Sequence, residues 1–156
     1  MSDAIQHVIV PVDGSRHSRA AVGYAALLAG RASARLHLLH VFPSSPDIPV
    51  GPSWAMNDLV NTDLVDEQRF ARLREKSAEN AFAAARKQLD KDISAEEAIL
   101  DGDPAKVIAD YAGKLPDCMI IMGARGLGQV GQMLLGSVSH RVLHQAPCPV
   151  TIVKHT

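Results

Sequence analysis

The sequence predicts an α/β fold: a three-layer sandwich with a five-stranded parallel sheet between two layers of helices. The first observation behind it is an alternation of short β-branched apolar runs with longer stretches of helical periodicity, from one end to the other. Parallel neighbours need a crossover connection, and crossovers are right-handed, so the alternation puts helices on both faces of one sheet. The second is size: 156 residues, 47% hydrophobic and 21% charged, suit a single domain spanning 1–156 with a real core. The third is that the chain carries no internal repeat and no low-complexity segment.

The first strand is HVIVPVD at 7–13, a compact apolar run. A helix comes next over SRHSRAAVGYAALLAGR, where Ala20, Tyr24, Leu27 and Leu28 recur at helical spacing. RLHLLHVF at 35–42 is the second strand. Residues 43–63 hold four prolines and read as a long connecting loop, of a length that is usually functional or mobile. A long helix is expected over about 64–90, with Ala78, Phe82, Ala85 and Leu89 on one face, and AEEAIL at 95–100 is a weak third strand. The clearest helix is in GDPAKVIADYAGKL: Asp103 is an N-cap, Pro104 occupies the first helical position, and Val107, Ile108, Tyr111, Ala112 and Leu115 form the buried face. DCMIIM at 117–122 is a fully apolar fourth strand. Gly136 and Ser137 open a last helix carrying Val138, Val142 and Leu143, and CPVTIV at 148–153 is the fifth strand.

The charge balance narrows the partners. A formal net charge of -1 provides no field for steering nucleic acid or an anionic membrane surface. The distribution is uneven, however. From Cys118 to Thr156 there is no Asp or Glu, only Arg125, Arg141 and Lys154, whereas residues 1–117 carry 13 basic and 17 acidic side chains. An anion would prefer the tail. Two cysteines, Cys118 and Cys148, are too few for a secreted disulfide framework. No signal peptide and no bilayer-spanning run is visible, so a cytoplasmic protein is expected.

In such sheets ligands bind at the carboxyl ends of the strands, which points to Asp13–Ser15, Val41 and Phe42, Asp101 and Gly102, and the stretch after Met122. That stretch is GARGLGQVGQMLLGS, with five glycines in fifteen positions. Each ordered glycine costs roughly 0.5–1 kcal/mol relative to alanine, so the cluster needs a reason. A Walker A loop is not it, since GK[ST] occurs nowhere. Gly126, Gly128 and Gly131 do spell GxGxxG, but the acidic residue about 20 positions later that a dinucleotide fold needs is missing.

A longer pattern fits: Gly123, two residues, Gly126, nine residues, then Gly136 and Ser137. With VIVPVDGS, LHLLHVF, GDPAKVI and LLGSVSHRVLHQAPCPVTIV, it makes the chain resemble the universal stress protein family, in its nucleotide-binding branch. The resemblance implies a Rossmann-like sheet in the order 3-2-1-4-5, akin to adenine nucleotide alpha hydrolases. It also implies ATP bound over the carboxyl ends, with Mg or Mn held by the phosphates, and a homodimer through the C-terminal strand. That order has a physical logic. Asp13 and Gly123 can share one ligand when the first and fourth strands are adjacent, which the order 2-1-3-4-5 would prevent.

By the same resemblance Asp13 accepts hydrogen bonds from the ribose or adenine, Val41 meets the adenine edge through its backbone, and Pro11 and Val12 wall the base. Gly123 and Gly126 would let the backbone approach the ligand, and loop amides from Met122 through Ala124 and Arg125 to Gly128 would form an anion nest. Gly136, Ser137, Val138 and Ser139 open a helix whose free amides and dipole face the phosphates. Plainer readings compete. Asp13-Gly14-Ser15 is an ordinary turn and N-cap, Ser137 an ordinary cap, Arg125 a solvated side chain, and His140 with His144 a pair lacking a third metal ligand. Met119, Met122, Met133, Trp54 and Phe42 read as packing.

Three functions are compatible with these features: a nucleotide-dependent regulatory module, a slow ATPase, or a stress-linked dimer that does not use nucleotide. No lysine, Walker B acid or glutamine is placed for phosphoryl transfer, so no catalytic residue and no metal ligand is assigned.

Overall fold

The structure is a computed structural model and describes residues 4–42, 67–125 and 135–155. Five strands, β1 (His7–Pro11), β2 (Arg35–Phe42), β3 (Ala95–Asp101), β4 (Cys118–Gly123) and β5 (Val150–Val153), form one parallel sheet in the order β3-β2-β1-β4-β5. This is the order that the resemblance implies. Four helices are described: α1 (Arg16–Ala32), α2 (Glu67–Arg86), α3 (Pro104–Ala112) and α4 (Ser137–Gln145). The expected loop at 43–63, with Trp54, and the glycine-rich stretch at 126–134, with Met133, lie outside the described residues.

Side chains alternate across each strand, and the two sets feed two cores. Val8, Val10, Leu36, Leu38, Met119 and Ile121 pack against α1 and α2; Ile9, Leu39, Ile120 and Met122 pack against α3 and α4. Removing such a side chain from water is worth about 1.5–3 kcal/mol each, which is what holds three layers together. Met119, Met122 and Phe42 are buried as packing residues.

The periodicity of α1 locates the helix, but the large residues mark the wrong stripe. Tyr24 and Leu27 are 48% and 52% exposed, and the face on the sheet is Ser18, Ala21, Val22, Ala25, Ala26 and Ala29. Small side chains let the helix axis lie close over β1 and β4. Leu143 of α4 is likewise exposed, leaving Val142 as its buried anchor. The buried contacts of α3 come from Ala105, Ile108 and Ala112, with Tyr111 and Leu115 only partly covered. α2 ends at Arg86 rather than near 90, because Gln88 and Leu89 donate to Ala85 and Arg86 in tighter turns. The buried His7 and His37 share a 2.9 Å hydrogen bond under α3, and His37 reaches the Tyr111 hydroxyl at 3.1 Å. Burial holds His37 below the ordinary histidine range, against an upward pull from Glu96.

Candidate functional site

The pairing of β1 with both β2 and β4 brings the carboxyl ends of β1 and β4 side by side. At the end of β1 the chain turns through Asp13-Gly14-Ser15. Asp13 Oδ1 accepts the Ser15 N–H at 2.9 Å, and Ser15 Oγ accepts the Ser18 N–H at 3.1 Å as the N-cap of α1. Gly14 sits at φ +81°, a left-handed conformation that disfavours any side chain. The plain turn-and-cap reading of these residues is therefore present, with Ser15 Oγ serving as the acceptor of the cap.

At the end of β4, two hydrogen bonds pin the start of α4. Gly136 N–H donates to Ala124 O at 2.6 Å, and the buried Ser139 hydroxyl donates to Gly123 O at 2.9 Å. The Ser139 hydroxyl is thus a structural clamp rather than an available donor. The first helical hydrogen bond of α4 is His140 N–H to Gly136 O at 2.9 Å, so the amides of Ser137, Val138 and Ser139 precede it and have no partner within the helix. Gly136 provides no side-chain cap, and no acidic residue lies in the first turn. Ser137 is exposed.

Gly123 needs a different explanation from the one its sequence context offers. A Cβ there would stand 2.6 Å from the His17 carbonyl carbon and 2.7 Å from its oxygen. The missing side chain lets the first turn of α1 lie against β4; it is required by the chain's own packing. Val12 also departs from expectation: its side chain is 3% exposed and belongs to the core under α1 and α2, so it does not wall a crevice. Met122 and Ala124 are buried, and Pro11, Val41 and Val138 are partly exposed. Gly126 and Gly128 lie outside the described residues. Of the three basic residues of the tail, Arg141 is paired with Asp103 at 2.6 Å and is turned away from the role of attracting an anion.

Two histidines to which the sequence pattern assigns no role stand beside the site. Burial and the positive charges of Arg16, His155 and Arg125 keep His17 below the ordinary histidine range, with Asp13 pulling the other way. Its Nδ1 is buried with no hydrogen-bond partner among the described residues. His40, almost fully buried, bridges Val12 O at 2.9 Å and Ser77 Oγ of α2 at 3.0 Å. Neither is legible in the sequence, since His17 in SRHSR and His40 in an apolar run are lone histidines with no spacing signal. His140 and His144 lie with ring centroids 4.8 Å apart, and among the described residues no group of three or more metal-binding side chains is found.

A five-stranded parallel sheet in this order with helices on both faces defines a Rossmann-like α/β protein. The family model of the universal stress protein family matches residues 4–154, and the chain belongs to that family. It is 34% identical to the universal stress protein YxiE of Bacillus subtilis over 149 residues, 94% of this chain and 97% of that protein. Among solved structures it resembles UspA of Lactobacillus plantarum, at TM-score 0.68 and 25% identity, over 97% of this chain and 99% of the other. The same fold is seen in a universal stress protein in complex with cAMP (TM-score 0.59, 24% identity, 99% and 100% covered). It recurs in one from Archaeoglobus fulgidus in complex with dAMP (TM-score 0.60, 18% identity, 98% and 100% covered). No helix among the described residues is long and apolar enough to cross a membrane.

Proposed function

We propose that this protein is an ATP-binding universal stress protein, a cytoplasmic single-domain module whose regulatory output depends on bound nucleotide. The observation that carries the reading is the open N-terminus of α4, clamped to the end of β4 beside the β1 turn that holds Asp13. Amides of residues 137–139 and the helix dipole suit a polyphosphate. Two structural neighbours carry adenine nucleotides, cAMP and dAMP, on the same fold. Asp13, Gly14 and the Val41 backbone are assigned to the nucleoside, beside Pro11. Arg125, Gly126, Gly128, Gly136, Ser137 and Val138 are assigned to the phosphates and ribose, with Gly123 and Ala124 as the strand end to which the start of α4 is fastened. A divalent ion is carried by the phosphates.

Hydrolysis is slow or absent in this reading, because the sequence holds no GK[ST] phosphate loop to supply the lysine clamp of phosphoryl transfer. β5 is an edge strand, and the pairing of two copies through it is the proposed dimer contact. Native mass spectrometry of the purified protein is expected to report a dimer carrying an adenine nucleotide. Calorimetry of the stripped protein is expected to give saturable ATP binding. A monomer with no retained nucleotide and no heat on addition of millimolar ATP would overturn the reading.

A further inference from the structure

We propose that His40 is a positioning residue of the base-binding edge, which holds the β1 exit so that the Val41 N–H is presented to an adenine. The inference rests on the nucleotide reading and deepens it. Along β2, odd-numbered residues direct their peptide groups at β1: Arg35 N–H donates to Gln6 O at 2.8 Å, and Leu39 O accepts Val12 N–H at 2.7 Å. Even-numbered residues turn the other way, as Phe42 O accepts Gly102 N–H at 3.1 Å. In a continued parallel ladder the next donor toward β1 is Val41 N–H, and its acceptor is Val12 O. The β1–β2 pairing stops at Pro11 and Leu39, and Val12 O is taken by the His40 ring at 2.9 Å.

The partners fix the tautomer. A carbonyl only accepts, so Nδ1 of His40 carries the proton, and the neutral ring then accepts the Ser77 hydroxyl through Nε2 at 3.0 Å. Phe82 closes the pocket edge-on, with ring centroids 6.3 Å apart. A ring locked at both nitrogens and buried to 6% exposure fixes where β1 leaves the sheet. Two residues beyond the last pair, Val41 remains in β2, paired with Leu100 of β3, with its donor edge facing the space that β1 has vacated. Its N–H there matches the acceptor edge of a purine.

The test uses the isosteres of the two ring nitrogens. Asparagine places an N–H donor at the position of Nδ1, glutamine at that of Nε2. His40→Asn is expected to hold ATP affinity within about threefold, while His40→Gln and His40→Ala lose at least about tenfold, all by calorimetry. Binding of inorganic tripolyphosphate, which has no base, is expected to be the same in all three. If wild-type binds ATP and His40→Asn falls as far as His40→Gln, or no variant falls, the positioning role is wrong and the nucleotide reading stands. If wild-type binds neither ATP nor tripolyphosphate, both fall together. A measurement on the unmutated protein covers variants that fail to fold: the Val41 amide is expected to exchange with solvent much faster than that of Leu39, and to slow when ATP is added. Equal protection of the two amides without nucleotide means that the ladder continues, and overturns the proposal.

Discussion

The N-termini of α3 and α4 solve the same problem in opposite ways. α3 is closed by its own chain: Asp103 Oδ2 accepts Lys106 N–H at 3.1 Å, Pro104 contributes no N–H to satisfy, and Arg141 clasps the carboxylate at 2.8 and 2.6 Å. α1 is closed similarly by Ser15. α4 begins at a glycine without a side chain to cap it, yet it is anchored firmly at its base by Gly136 to Ala124 and Ser139 to Gly123. A side-chain cap is typically worth about 1 kcal/mol. Leaving one out where the helix is otherwise rigid keeps backbone donors in fixed positions for something other than the chain. A carboxylate at the start of α3 would repel a phosphate; a bare start does not.

The largest expected effect comes from making α4 resemble α3. Gly136 lies at φ -69° and ψ 157°, an extended conformation open to any residue. Gly136→Asp therefore introduces a cap without backbone strain, and its carboxylate takes the amides that the proposal gives to phosphate. ATP affinity is expected to fall at least about 100-fold, roughly 2.8 kcal/mol at 1.4 kcal/mol per decade. The thermal midpoint is expected to hold or rise. Calorimetry showing unchanged affinity in a folded variant would remove α4 from the site.

The sequence carries the fold further than the site, and particular residues explain the gap. Strand order comes from the family resemblance together with the need for Asp13 and Gly123 to meet, and the sheet has that order. Asp103 and Pro104 announce a helix start because capping is local chemistry, written within four residues. Gly123 misleads because its reason is remote: the backbone of His17 occupies the space a Cβ would need, and no local pattern encodes that contact. Tyr24 and Leu27 mislead because residue size suggests burial, whereas close helix-to-sheet packing selects the alanine stripe. His40 and His17 are invisible for the same reason as Gly123. Their partners, Val12, Ser77 and His155, come from other elements, and only the fold assembles them.

The reciprocal change opens α3. Asp103→Ala removes the cap, and a cost of about 1 kcal/mol, within a range of roughly 0.5–2, is expected from urea midpoints. In a chain of this size that corresponds to a fall in Tm of about 2–4 °C. ATP affinity is expected to be unchanged, since α3 is closed by its own residues and the proposal places no phosphate there. A severalfold loss of affinity would mean that the two helix starts are coupled through Arg141, which bridges them.

The smallest effect separates the two partners of Asp103. The hydrogen bonds from Arg141, first, and the Lys106 amide hold its carboxyl below the usual carboxylate range. A carboxylate with a depressed folded pKa stabilises the fold fully above its unfolded pKa, and that contribution is lost as pH falls through the folded value. The stability difference between wild-type and Asp103→Ala is therefore expected to stay flat from pH 7 to 5 and to shrink below about pH 4. The Arg141 pair is 47% and 42% exposed, so salt screens it, whereas the amide bond at the helix start is short-ranged. Raising NaCl to about 0.5 M, where the screening length shrinks toward a few ångströms, is expected to remove only a minor share of the difference at pH 7. A difference abolished by salt would mean that Asp103 acts through Arg141 alone, and that α3, like α4, has an N-terminus its own side chain does not close.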